Sequence, residues 1–89
     1  MSIDDQALLS FPCDFPIKVM GLATPEFQAI VLDIVHQYCD KTDLRTVNTR
    51  ASQGGKYHSI TITINATGRE QLDKIYLALS ENSHVIMAL

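Results

Sequence analysis

Long apolar runs are missing from this chain, and none approaches the ~18 residues that a membrane-spanning helix needs. A basic excess is missing too. Seven Lys and Arg face ten Asp and Glu, for a net charge of −3. A nucleic-acid binder usually carries a basic face, whereas Lys18, Arg45, Arg50, Lys56, Arg69 and Lys74 look scattered. Arg45, Arg50 and Lys56 alone fall on one expected hairpin. The sequence therefore argues for neither a nucleic-acid nor a membrane partner. Cysteine is scarce: Cys13 and Cys39 stand far apart without CxxC spacing. A reduced pair in a cytoplasmic protein is the expectation. The first residues include Asp4 and Asp5, unlike the basic start of a secretory signal.

What is present suits one small folded domain. The 89 residues are 46% hydrophobic and 19% charged, and a chain of this length buries roughly 64% of its extended surface. The most informative stretch is KYHSITITINA, Lys56 to Ala66. Tyr57, Ser59, Thr61, Thr63 and Asn65 alternate with His58, Ile60, Ile62 and Ile64. Successive strand side chains face opposite sides of a sheet. The alternation therefore predicts a central antiparallel strand, with isoleucines over a core and a hydroxyl row on an open face.

The remaining elements follow in order. Residues 1–14 read as an N-terminal arm, with a helical turn expected around Ile3, Ala7, Leu8 and Leu9, and 15–89 as a single domain. Phe15 to Leu22 is the first strand, with Ile17 and Val19 inward and Lys18 and Met20 outward. Gly21 marks a bulge or a close backbone approach. Thr24-Pro25-Glu26 reads as a helix start, with Thr24 as cap. That helix is expected to run to Tyr38, burying Phe27, Ile30, Val31, Ile34, Val35 and Tyr38. Leu44 to Ser52 is a polar edge strand, and Gln53-Gly54-Gly55 supplies the turn into the central strand. Thr67-Gly68-Arg69-Glu70 has the form of a capping box. A second helix is expected over 68–81, burying Leu72, Ile75, Tyr76 and Leu79, and His84 to Leu89 is the last strand. The order β-α-β-β-α-β predicts an α+β, ferredoxin-like sandwich. Its four-stranded antiparallel sheet has strand order 4-1-3-2, and both helices lie on one face.

Reaction chemistry is harder to find. His36, His58 and His84 lack HxH or HxxxH spacing, so no metal site is expected. Ser59 and His58 are neighbours on a strand and face opposite sides, which rules out a serine–histidine pair. Asp40 and Asp43 lie in polar, solvated segments. Gln53-Gly54-Gly55-Lys56 lacks GxxxxGK[ST] spacing and reads as a turn. The aromatic pairs of RNA-binding ferredoxin-like modules are absent, with Tyr57 the one aromatic on the open face of the two central strands. So are the CxxC of the copper carriers and the arginine of the acylphosphatases. Neither catalysis nor a cofactor is expected.

Two kinds of binding remain. The open face, with Lys18, Met20, Tyr57, Ser59 and Thr61, suits a protein partner or a second copy of the chain in a homodimer. Alternatively, Gly21, Leu22 and Thr24 lead into the first helix, whose free N–H groups could hold a small carboxylate effector.

Three stretches carry a resemblance. Phe11-Pro12-Cys13-Asp14-Phe15-Pro16-Ile17-Lys18-Val19-Met20-Gly21, Ser52 to Thr61, and Gln71-Leu72 with Tyr76 and Leu79 resemble the YbeD family of small bacterial proteins, also called UPF0250. The similarity runs from about residue 8 to the C-terminus. It implies a ferredoxin-like fold similar to ACT-type regulatory domains, a bacterial cytosolic setting and a regulatory role. A link to lipoate metabolism comes with the name lipoate regulatory protein. The resemblance carries over no catalytic residue.

Overall fold

The computed structural model describes residues 10–89, so the helical turn expected near the start of the chain lies outside the described residues. Strand β1 spans Cys13–Leu22, helix α1 Phe27–His36, β2 Leu44–Ala51, β3 Tyr57–Ala66, α2 Arg69–Ser80 and β4 Val85–Ala88. A short 3-10 turn, Lys41–Asp43, precedes β2. The strands form one sheet in the order β2-β3-β1-β4, the expected order read from the other edge. All three pairings are antiparallel. The fold is the ferredoxin-like α+β sandwich that the element order predicts.

Alternation along β3 sets the layers. Ile60, Ile62, Ile64 and Ala66 are fully buried, while Tyr57, Ser59, Thr61, Thr63 and Asn65 on the other face are half-buried. Ile17 and Val19 of β1 join the buried set. The helices cover this face with Phe27, Val31, Ile34 and Val35 from α1 and Leu72, Ile75 and Leu79 from α2. Spacings of three and four residues put these side chains on one stripe of each helix.

Pro16 stands in a central strand without disrupting it. Lys18 N–H and C=O both bond Leu89, at 3.0 and 2.7 Å. The backbone groups of Pro16, two residues earlier, point to the same side. There they lie beyond β4, which pairs with β1 only from Val19 to Gly21. The missing proline N–H therefore removes no ladder bond.

Several boundaries and caps differ from expectation. β1 begins at Cys13, paired with Ala66, two residues before the expected start. α1 begins at Phe27, not at Thr24-Pro25, and Thr24 does not cap it. The N-cap is Glu26, without a side-chain cap bond. The Thr24 carbonyl accepts from Phe27 N–H at 3.2 Å, so Pro25 and Glu26 form a turn ahead of the helix. α1 also stops early, because Gln37 and Tyr38 donate to the carbonyls of Ile34 and Val35 in a tightened last turn. Tyr38 is thereby left exposed.

At α2 the expected Thr67–Glu70 capping box is replaced by a Thr67–Gln71 pair. Gln71 Oε1 accepts from Thr67 N–H at 2.8 Å, and Gln71 Nε2 donates to the Tyr38 carbonyl at 2.7 Å. One side chain thus ties the start of α2 to the end of α1, which Glu70 could not do because a carboxylate has no donor. Glu70 instead faces Lys74 at 3.2 Å on the helix surface.

Candidate functional site

Register arranges the open face in rows, because directly opposed strand residues share a face. Lys18 opposes Thr61, which opposes Asn48. Met87 opposes Met20, Met20 opposes Ser59, and Ser59 opposes Arg50. Leu22 opposes Tyr57. Lys18, Met20, Tyr57, Ser59 and Thr61 therefore stand together on one surface. They are the five that strand parity groups on the open face.

That surface has two unlike regions. One is apolar. Leu22, Ile86, Met87 and Leu89 are 51, 58, 47 and 63% exposed. A hollow of about 170 Å³ is lined by Met20, Tyr57, Ile86 and Met87. A register shift on β4 beside Met20 and Gly21 brings both Ile86 and Met87 to this hollow.

The other region is cationic and hydroxylated. Lys18, Asn48, Arg50, Ser59 and Thr61 line a shallow depression of about 430 Å³. Lys56 places its ammonium 5.6 Å from the Tyr57 ring centroid, a cation–π contact at the hairpin end of the face. At the far end Arg45 Nε meets Asp14 at 3.3 Å, and Asn65 donates to the same carboxylate oxygen at 3.1 Å. Arg45 reaches this face because it is the extra residue of a β2 bulge between Leu44 and Thr46.

The second expected set is divided by the sheet. Leu22 lies on the open face beside Tyr57, whereas Gly21 faces the core. A Cβ on Gly21 would collide with the Phe27 ring and the His84 carbonyl. Of the two alternatives expected at Gly21, the close backbone approach is present, at the His84 carbonyl, while the extra residue of the register shift is Ile86 on β4, and the space at Gly21 is filled by Phe27. Thr24 is half-buried, and its enclosed Oγ1 has no hydrogen-bond partner among the described residues.

Titratable groups add little chemistry. Burial pushes the Cys39 thiol up, and Asp43 and Asp40 push it further, which favours the unreactive protonated form. Cys13 and Cys39 are both free thiols. Burial also raises Tyr76, whose hydroxyl donates to the Leu89 carbonyl at 2.8 Å. Among the described residues no three His, Cys, Asp or Glu side chains gather as metal ligands. No helix among them is long and apolar enough to cross a membrane.

Sequence reasoning placed Lys18 and Met20 on the open face but missed Ile86, Met87 and Leu89 as its apolar border. The run VIMAL does not alternate in hydrophobicity, so its two faces cannot be told apart by counting. It also missed Arg50 as the partner of Lys18, although counting back from the Gly54-Gly55 turn would have paired Arg50 with Ser59.

This architecture defines a small ferredoxin-like domain of the ACT-like kind. The ACT domain from GTP pyrophosphokinase of Chlorobium tepidum superposes with a TM-score of 0.67 at 15% identity, covering 86% of this chain and 97% of that one. A protein from H. pylori solved in solution gives 0.76 at 14% identity, covering 100% and 93%. These likenesses concern the fold. Sequence goes further: residues 6–89 match the family described as "Protein of unknown function (DUF493)". A UPF0250 protein of Paraburkholderia phytofirmans is 46% identical over 89 residues, the whole of both chains. Another, from Nitrosomonas europaea, is 45% identical over 85 residues, covering 96% of this chain and 98% of that one. The chain belongs to this UPF0250 family, which is bacterial in both relatives.

Proposed function

We propose that this protein is a non-enzymatic regulatory or adaptor domain of the cytoplasm that works by protein contact through its open sheet face. The carrying observation is the gathering of Leu22, Ile86, Met87 and Leu89, all about half exposed or more, around the half-buried Met20 and Tyr57. Exposed apolar side chains are unremarkable singly, but a contiguous group marks an interaction surface. Aromatic and methionine side chains are also enriched at protein contacts. The hollow and the depression on this face are open to solvent and lack the enclosure that small-molecule sites use to bury most of a ligand. Lipoate metabolism is the first place to look for the partner, on the strength of the family resemblance alone.

Photocrosslinking in bacterial cells tests this reading. p-Benzoylphenylalanine in place of Leu22 or Met87 should give discrete adducts, and the same residue in place of Leu77 on α2 should give none. Leu77 is 60% exposed, so it is an equally accessible control. Adducts from position 77 alone, or none from the sheet face, would overturn the proposal. Thermal unfolding with amino acids, nucleotides, lipoate and octanoate is the companion measurement. A ligand at ten times its Kd adds about 1.4 kcal/mol and moves the midpoint by roughly 6–11 °C. A specific shift without sheet-face adducts would favour the small-molecule reading instead.

A further inference from the structure

Charge is distributed unevenly over this acidic protein. Lys18, Arg45, Arg50 and Lys56, four of its seven basic residues, lie on the open face or against Tyr57 at its end. Among the described side chains Asp14 is the carboxylate they share that face with, and Arg45 already holds it at 3.3 Å. The other described Asp and Glu side chains sit on the helices or on the connections flanking them. Lys18 and Arg50 have no acidic partner within salt-bridge distance among the described residues, and both are exposed. Like charges kept close beside an apolar hollow repel one another until a partner neutralises them.

We infer that the open face receives an acidic polypeptide segment carrying an apolar side chain. This inference rests on the protein-contact reading above and names the chemistry of the partner. Strand spacing supplies the ruler. Met20 and Arg50 lie two strands apart in one row, roughly 10 Å. An extended segment advances roughly 7 Å every two residues, so an apolar residue and an Asp or Glu two or three positions away span that gap. The apolar side chain enters the Met20–Tyr57–Ile86–Met87 hollow, and the carboxylate lies over Lys18 and Arg50. Ser59, Thr61 and Asn48 offer hydroxyl and amide donors beside it.

Charge complementarity distinguishes this occupant from others. A second copy docked face to face brings in the same cations and, among the described side chains, only the Asp14 that Arg45 already holds, so it offers Lys18 and Arg50 no free carboxylate. Single-stranded nucleic acid would find one aromatic platform, Tyr57, where successive bases need several.

A random dodecapeptide library displayed on phage, selected against the full chain, tests the inference without presuming a sequence. Enriched peptides should combine Asp or Glu with Leu, Phe or Trp. Their affinity should fall at least ten-fold for the Lys18→Glu/Arg50→Glu double variant and weaken as salt rises from 50 to 500 mM. Both residues are exposed, so the double variant should fold normally, and circular dichroism checks that. Neutral or basic peptides that ignore the charge reversal but lose affinity on Tyr57→Ala would overturn this inference and leave the open-face reading standing. Peptides indifferent to every open-face substitution would overturn both. An empty selection, with the chain instead sedimenting with phosphatidylglycerol vesicles or self-associating on a sizing column, would overturn the acidic-segment assignment.

Discussion

Replacing Gly21 with alanine should destabilise the protein sharply, although it adds one methyl group to a position where glycine's conformational freedom is not required. Gly21 does not have positive φ. The cost is spatial, because the new Cβ would meet the Phe27 ring on one side and the His84 backbone carbonyl on the other. Phe27 is itself fully buried and cannot swing into solvent. Overpacking costs roughly 1–3 kcal/mol, and with a backbone atom as one neighbour the upper half of that range applies, about 2–3 kcal/mol. For a domain of this size the melting midpoint should fall by roughly 10–20 °C. Urea unfolding followed by circular dichroism should show a lower midpoint with an unchanged m-value. In a Phe27→Leu background the ring is gone, and the same substitution should cost about 1 kcal/mol less, a coupling within the range seen for touching residues. A loss below about 0.5 kcal/mol, or an equal loss in both backgrounds, would refute this account of Gly21. The result also bears on the effector reading, since a binding defect at Gly21 could not be separated from a folding defect. Leu22 and Thr24 are the positions where that reading can be probed.

Thr24→Val should leave the stability unchanged or raise it by up to about 1 kcal/mol, because it removes an enclosed hydroxyl without a partner among the described residues. A loss above 1 kcal/mol in thermal unfolding would mean that the hydroxyl is satisfied by something other than the chain. Gln71→Ala should cost about 1–2 kcal/mol, since it frees both Thr67 N–H and the Tyr38 carbonyl. Glu70→Ala on the same turn should cost less than 0.5 kcal/mol in the same urea titration. Cys39 has its thiol pKa raised in the fold, first by burial and then by Asp43 and Asp40. Its contribution is therefore fully present below the unfolded value of 9.0 and lost as pH rises through the higher folded value. Urea midpoints should decline above pH 9, and Cys39→Ala should flatten part of that decline. An equally steep fall in the variant would count against burial of the thiol.

Most of the fold was legible because β3 alternates so cleanly. Three isoleucines at every second position admit one inward face, and β1 answers with Ile17 and Val19 against Lys18 and Met20. Topology followed from element order. Helix ends were less legible, for local reasons. Thr24-Pro25-Glu26 has the composition of a helix start, yet the chain completes a turn there before Phe27 can reach Gly21. Thr67 and Glu70 fit a capping pattern, but Gln71 wins because its amide both accepts and donates. The open face was half legible. Strand parity located Lys18, Met20, Tyr57, Ser59 and Thr61. Bulges hid Arg45 and Ile86, since an extra residue in β2 and a register shift beside Met20 and Gly21 defeat simple counting, whereas Arg50 was within reach of counting from the turn.

The same irregularities help to identify which surface can bind. Sheets recruit partners through their edges or through their faces, and both edges here are poorly suited to strand addition. β4 is four residues long, and its register on β1 is interrupted. β2 carries a bulge, and Arg45 and Arg50 lie along it. Short, bulged and charged edges resist pairing with another strand. A partner of the proposed kind would then read side chains on the face, where the hydroxyl row of β3 lies between β1 and β4, which carry the apolar border and Lys18, and Arg50 of β2. Backbone pairing would tolerate almost any sequence, whereas side-chain reading depends on the placement of charge and apolar groups. The bulge that blunts the β2 edge also carries Arg45 to Asp14. That pairing engages Asp14 with Arg45, whereas Lys18 and Arg50 have no ion-pair partner among the described residues, which is the gap the proposed acidic segment would fill.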